Sequence, residues 1–154
     1  MPSPLRLCVR RSVIVDGDDV ATVITLRFPS DVSYVEETVE LVVRHCLAGF
    51  IGAHQIRFRL KVALAEALTN AIIRGNREDR AKSVEVRAEL RPDVIQLWVA
   101  DEGPGFDPSS VPEPTIPSRL DEPDGRGLYL IRKLVDAVQF NDQGNCICMT
   151  LRHR

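Results

Sequence analysis

Two stretches near the N-terminus, residues 5–15 and 19–28, are rich in Val, Ile, Thr and Leu and flank Asp16-Gly17-Asp18. That pattern predicts a β-hairpin. Pro29-Ser30-Asp31 stops the second strand. From Asp31 to about Ala48 the apolar residues Val35, Val39, Val42, Val43 and Cys46 recur at helical spacing, and Ser33 with Glu36 fits a capping box. Gly49 and Gly52 end this helix, and a second runs from about Ala53 to Arg74, with Gly75 where a C-cap belongs. Residues 83–90 and 94–100 read as strands joined by Arg91-Pro92-Asp93. Residues 102–124 hold six of the ten prolines and show no apolar periodicity, which predicts a long functional loop. A third helix follows Gly127, carrying Leu130, Ile131, Leu134 and Val135. Two last strands, about 137–141 and 146–152, flank Asp142-Gln143-Gly144-Asn145. The order predicts an α+β fold: a two-layer sandwich of a mixed, mostly antiparallel sheet with the helices on one face.

Composition adds limits. At 154 residues the expectation is a single domain over 1–154, with a core that needs no disulfide or metal. Hydrophobic residues at 44% and charged ones at 27% exclude a disordered or fibrous chain. No uninterrupted apolar run exceeds four residues, against about 20 for a membrane span. Met1-Pro2-Ser3-Pro4-Leu5-Arg6 has no apolar signal region, so a cytoplasmic protein is expected. The net charge of −2 offers no general attraction to nucleic acid or an anionic membrane. Cys8, Cys46, Cys146 and Cys148 form no C-x-x-C pair, and His45, His54 and His153 are scattered. They read as reduced, mostly buried thiols rather than a metal site.

Three features carry chemistry. On the second helix Glu66 and Asn70 lie about 40° apart on one face, with Arg59 and Arg77 near the same direction and Arg74 one turn on. Leu60, Leu64, Leu68, Ala71 and Ile72 form the opposite, core face. A solvated polar stripe would show the same spacing, but here the polar pair sits among Val62, Ala63 and Ile73. The second feature is Asp101-Glu102-Gly103-Pro104-Gly105, directly after a strand. Alternation puts Asp101 on the face of Ile95, Leu97 and Val99, where a carboxylate needs a partner such as the exocyclic amine of a purine. The third is Gly125-Arg126-Gly127-Leu128, glycines opening a helix whose N–H groups suit an anion. It matches neither a dinucleotide fingerprint nor a Walker A loop. In order, the set supplies an oxygen ligand for Mg²⁺ (Asn70), a reader of adenine (Asp101), a phosphate cradle (Gly125–Leu128) and a carboxylate placed to act on an attacking hydroxyl (Glu66).

This ordered set resembles the N, G1 and G2 boxes of the Bergerat-fold (GHKL) ATP-binding superfamily, over roughly residues 26–152. Within it the chain is similar to the small bacterial anti-sigma-factor serine/threonine kinases of the RsbW/SpoIIAB type. Glu66-Ala67-Leu68-Thr69-Asn70-Ala71-Ile72-Ile73 is the most specific stretch. The resemblance implies Glu66 as catalytic base and Asn70 as the Mg²⁺ ligand. It implies Asp101, Gly103 and Gly105 at the adenine edge and lid hinge, and Gly125, Arg126, Gly127 and Leu128 on the phosphate side. Residues 102–124 would be the ATP lid, after an N-terminal hairpin over 1–28. Arg74 stands where such kinases often carry His. Glu122-Pro123-Asp124 stands where some carry an arginine, Arg119 and Arg126 being the nearest cations, and Cys146 falls behind the adenine aspartate.

The implied activity is that of an ATP- and Mg²⁺-dependent protein serine/threonine kinase and anti-sigma factor. It would phosphorylate a STAS-domain anti-anti-sigma antagonist, bind a sigma factor and form a homodimer, with no direct contact to nucleic acid or membrane. The alternative is a nucleotide-dependent partner-switching module without phosphotransfer. A histidine-kinase catalytic domain fits poorly, because His45-Cys46-Leu47 lacks the acidic neighbour of a phosphoacceptor. Trp98 alternates with Asp101 and is expected on the other side of the sheet, as a covered surface residue or an interface anchor.

Overall fold

The computed structural model describes residues 8–48, 54–107 and 123–152. Its elements are β1 (Cys8–Asp16), β2 (Asp19–Pro29), α1 (Val35–Leu47), α2 (His54–Asn70), β3 (Ser83–Leu90), β4 (Val94–Ala100), α3 (Pro123–Leu134), β5 (Ala137–Phe140) and β6 (Cys146–Arg152). One six-stranded sheet runs β1-β2-β3-β4-β6-β5. Every neighbouring pair is antiparallel, rather than mixed as the sequence suggested. The reason is the connection. The chain reverses entering α1, between α1 and α2, and again entering β3, so β3 lies beside β2 in the opposite direction. After β4, α3 and β5 intervene before β6, which inserts between β4 and β5.

Strand alternation builds the core. Ile24, Leu26 and Phe28 of β2, Ile95, Leu97 and Val99 of β4, and Ile147, Met149 and Leu151 of β6 are all buried. The helical layer meets them with Leu60, Leu64, Leu68 and Ile72 from α2 and its extension, Val42 and Val43 from α1, and Ile131 from α3. The opposite sheet face is polar. There Arg87 lies 5.8 Å from the Trp98 ring centroid, a cation–π contact that covers the indole. Glu89, only 8% exposed, lies on the same face. It accepts from Arg87 Nη2 at 2.6 Å and from Arg91 Nη1 at 2.7 Å. Burial pushes the Glu89 carboxyl up, but the hydrogen bonds from Arg91 and Arg87 outweigh it and hold the group below its ordinary value. Arg91 also reaches Asp19 at 3.1 Å, which ties the N-terminal hairpin to β3.

Several local expectations are corrected. The cap ahead of α1 is Asp31, whose Oδ1 accepts from the Ser33 amide at 3.0 Å and the Ser33 hydroxyl at 2.8 Å. A 3-10 turn over Val32–Tyr34 follows, so Ser33 and Glu36 do not form the box. Of the four cysteines only Cys46 is buried. Cys8 is exposed, and Cys146 and Cys148 are half-covered, alternating along β6 with the buried Ile147 and Met149. Burial pushes the Cys46 thiol up to about 12. α2 does not run straight into a glycine cap. Its last turn widens into a π-helical turn over Ala71–Gly75, closed by Asn76 N donating to Ala71 O at 2.9 Å. Arg77 and Glu78 follow with φ of 53° and 57°, so Arg77 leaves the helix and does not project beside Glu66.

Asn76 holds this corner together. It is 1% exposed and donates to Ser30 Oγ at 2.6 Å and to Ser83 O at 2.9 Å. Its Oδ1 accepts from Glu102 N at 2.8 Å. The Ser83 amide in turn donates to the Glu102 carboxylate. One side chain thus binds the end of α2, the ends of β2 and β3, and the turn after β4. Asn76→Ala is expected to lower the unfolding free energy by about 3 kcal/mol in urea titrations at unchanged slope, because it strands several buried groups at once. A loss below about 1 kcal/mol would show that water replaces these bonds.

Candidate functional site

A cleft of about 390 Å³ opens between α2, the end of β4, α3 and the β5–β6 turn. Asn70, Arg74, Asp101, Gly105 and Leu128 line it together. Residues more than thirty positions apart are therefore brought to one cavity. Its size suits a small-molecule ligand.

Asp101 lies at the exit of β4, on the helix-facing side, and is half-buried. Its amide donates to Asn145 O at 2.9 Å, and its Oδ1 accepts from Gly103 N at 2.8 Å. Oδ2 has no hydrogen bond among the described residues. Burial raises the carboxyl above its ordinary value; the Gly103 hydrogen bond and the Lys82 charge pull the other way without cancelling it. Two glycines make this placement possible. A Cβ on Gly75 would overlap the Asp101 carboxyl, and a Cβ on Gly103 would overlap the Gly75 carbonyl. The end of α2 and the turn after β4 meet backbone to backbone, a distance only glycine allows.

Glu66 and Asn70 are half-buried on α2, one turn apart. Gly127 of α3 packs against both. A Cβ there would lie 3.0 Å from Asn70 Nδ2 and 3.1 Å from Glu66 Oε2. No hydrogen bond engages the Asn70 side chain among the described residues, so its carbonyl oxygen is available to a ligand in the cleft. Glu66 does not line the cleft itself. It borders a shallower groove between α1 and α2, lined also by Val35, Val39, Lys61 and Val62. Its carboxylate therefore stands on the ridge between cleft and groove. Arg74 is exposed at the cleft rim.

α3 begins at Pro123, five residues earlier than the sequence suggested. Pro is well suited to a first helical position, with its missing N–H and preset φ. Gly125, Arg126 and Gly127 thus belong to the opening turns of the helix rather than preceding it. Leu128 is buried against the cleft. Of the expected lid, 102–107 and 123–124 are described; the remainder, with Arg119, lies outside the described residues.

Other residues of the site were not foreseen. Phe106 and Phe140 meet edge to face at 5.2 Å and close one wall. Asn145 donates to Gly103 O at 3.3 Å and anchors the β5–β6 turn to the glycine segment. Neither aromatic carries a motif, and only folding brings β5 near residue 106. Asn76, next to Gly75, was legible only as a polar residue after a helix end. Cys146, expected near the aspartate, does line the cleft, and burial with the Asp101 charge raises its thiol.

The antiparallel sheet, the helical layer and a cleft lined by Asn70 and Asp101 are the frame of a GHKL-type ATPase fold. Comparison with known proteins agrees: residues 28–151 match the histidine kinase-like ATPase domain, and the chain belongs to that family. Within it, the chain is similar to proteins named serine-protein kinase RsbW. It is 31% identical to that of Oceanobacillus iheyensis over 100 residues, covering 61% of this chain and 63% of the relative. Against the Bacillus cereus protein it is 29% identical over 138 residues, 82% of each. Against the Bacillus subtilis protein it is 37% identical over 99 residues, 59% of this chain and 61% of the relative. The chain thus aligns with less than two thirds of the length of the first and third of these.

The raised Asp101 carboxyl has a stability consequence. A folded-state value above the unfolded one means that the ionised form is disfavoured by folding. Stability from this group is complete below the unfolded value and is lost as pH rises through the folded one. Asp101→Asn, which removes the charge but keeps an oxygen for Gly103 N, is expected to raise the urea midpoint of the ligand-free chain at pH 7. The gain should shrink as the pH falls into the ordinary carboxylate range. A lower midpoint at pH 7 would contradict the assignment of burial as the dominant cause.

Proposed function

We propose that this chain binds MgATP in the cleft and transfers the γ-phosphoryl group to a serine or threonine of a STAS-domain anti-anti-sigma protein, acting also as an anti-sigma factor. The observation that carries this reading is the meeting of Asn70 and Asp101 in one cleft, with Gly127 of α3 packed against both Asn70 and Glu66. Serine-protein kinase is also the activity in the names of its relatives.

Asp101 would accept a hydrogen bond from the adenine amine through its free oxygen, and its half-buried position makes that bond strong and selective. Leu128, Ile131 and Phe106 line the apolar part of the cleft, where the base would lie. The residues fit a hard cation: Asn70 offers an unengaged amide oxygen, and phosphate and water oxygens would complete the set. When bound, Mg²⁺ would neutralise charge on the phosphate oxygens. The first turns of α3 would hold the phosphates through backbone N–H groups, with Arg126 and Arg74 as the nearby cations. Glu66, on the ridge between cleft and outer groove, would meet a hydroxyl arriving from outside and take its proton. A second reading, a nucleotide-dependent partner-switching module without phosphotransfer, draws on Glu122-Pro123-Asp124, which puts acids where an arginine would aid transfer.

Glu66→Gln is expected to keep ATP affinity and lose about 10²–10⁴-fold in transfer rate, followed with radiolabelled ATP and a cognate STAS protein. Retained transfer would remove Glu66 from the chemistry, whereas no transfer even by the unaltered chain would favour the partner-switching reading. Asn70→Ala is expected to abolish the Mg²⁺-dependent part of nucleotide binding in calorimetry, and unchanged affinity would contradict the ligand role. ATP binding should also weaken on acidification at a higher pH than an ordinary carboxylate would dictate, since protonated Asp101 no longer accepts, and Asp101→Asn should remove that dependence.

A further inference from the structure

The groove between α1 and α2 has a volume of about 470 Å³, and none of its lining residues lines the cleft. α1 sets Val35 and Val39 one turn apart, with Glu36 and Glu40 beside them at the same spacing, and α2 faces them with Val62 and Ala65. The floor is therefore aliphatic and the rim charged. Val32, which also lines the groove, is 48% exposed. A shallow apolar surface with a polar rim is built like a protein-docking site, whereas a small ligand needs to be mostly enclosed.

The charges narrow the occupant. Three carboxylates, Glu36, Glu40 and Glu66, border the groove against one cation, Lys61. Lys61 Nζ lies 3.3 Å from Glu40 Oε1, so that pair offsets itself. No ion pair engages Glu36 or Glu66 among the described residues. The groove thus keeps uncompensated negative charge, which disfavours a phosphate or an acidic segment and favours a cation. Glu37 offers a contrast. It is exposed and adjacent to Glu36, but about 100° round the helix and outside the groove.

Glu66 connects groove and cleft. It borders the groove, while Ala67 and Asn70 of the same helix line the cleft. A protein seated in the groove therefore lies beside the carboxylate proposed as base. We infer that the groove docks the protein that receives the phosphoryl group and selects it by two side chains next to its serine or threonine: an aliphatic one seated on Val39 and Val62, and an arginine or lysine paired with Glu36. Arginine suits that carboxylate best, through its forked donors. The choice of occupant rests on the proposed activity; the shape and charge of the groove do not.

Calorimetry of the full chain, loaded with ADP and Mg²⁺, against the cognate STAS protein tests it. Binding is expected, and Glu36→Lys should weaken it about tenfold. Glu37→Lys makes the same change of charge one residue away and should leave the affinity within about twofold. Both residues are exposed in the first turn of α1, so the pair also controls for effects on the helix. Neither variant should alter ATP affinity, since neither residue lines the cleft. Glutamate in place of each arginine or lysine near the acceptor hydroxyl of the STAS protein, one at a time, should at one position restore binding to Glu36→Lys. Four results overturn the inference: no complex, normal binding by Glu36→Lys, equal losses from Glu36→Lys and Glu37→Lys, or no restoring substitution. The activity fails separately. A complex with the expected charge pattern but no transfer of label from ATP refutes phosphotransfer and leaves the groove assigned. Transfer at an unchanged acceptor KM in Glu36→Lys keeps the activity and refutes the groove.

Discussion

The site depends on one close approach. The carbonyl of Gly75, ending the π-helical turn of α2, sits against Gly103 in the turn after β4. A side chain on Gly103 would force the helix away from the strand, and one on Gly75 would displace the Asp101 carboxyl. With both absent, the helix carrying Glu66 and Asn70 and the strand delivering Asp101 reach the same cavity. Asn76 completes the join by bonding to three separate segments from a position without solvent.

Around this contact the polar groups grade from buried to exposed. Asp101 lies deep enough for its carboxyl to be raised and keeps one oxygen uncommitted. Asn70 stands in the cleft wall and Glu66 on its border. In the proposed reading, a ligand with an aromatic base at one end and anionic groups at the other would follow this gradient, the base beside Phe106 and the charged tail toward the start of α3. The outer groove beside Glu66 lies on the far side of that residue from the cleft.

Much of the fold was legible because alternation is local. β3 and β4 fall on residues 83–90 and 94–100 as read, and every residue assigned to the core face of α2 is buried. The errors share a cause. Ser33 with Glu36 has the spacing of a capping box, but Asp31 reaches the same amide first through a tighter turn. Pro123 reads as loop among its neighbouring prolines, yet it occupies the one helical position that tolerates it. Arg77 has the right spacing for a helix face until the left-handed backbone at 77–78 takes it off the axis. Cys146 and Cys148 look like core residues because the strand is apolar on both faces. In each case two local patterns compete, and distant contacts choose between them.

Residue type and spacing alone determined which side chains could do chemistry here, because a carboxylate and an amide one helical turn apart, or an aspartate ahead of two glycines, are properties of the local chain. They also determined the number and kind of elements, through periods of two and of 3.6 residues. Tertiary structure decided the rest: the direction of each strand, the wall formed by Phe106, Phe140 and Asn145, and the half-buried setting that shifts Asp101. Those properties belong to pairs of segments far apart in the chain, and they exist only once two backbones touch.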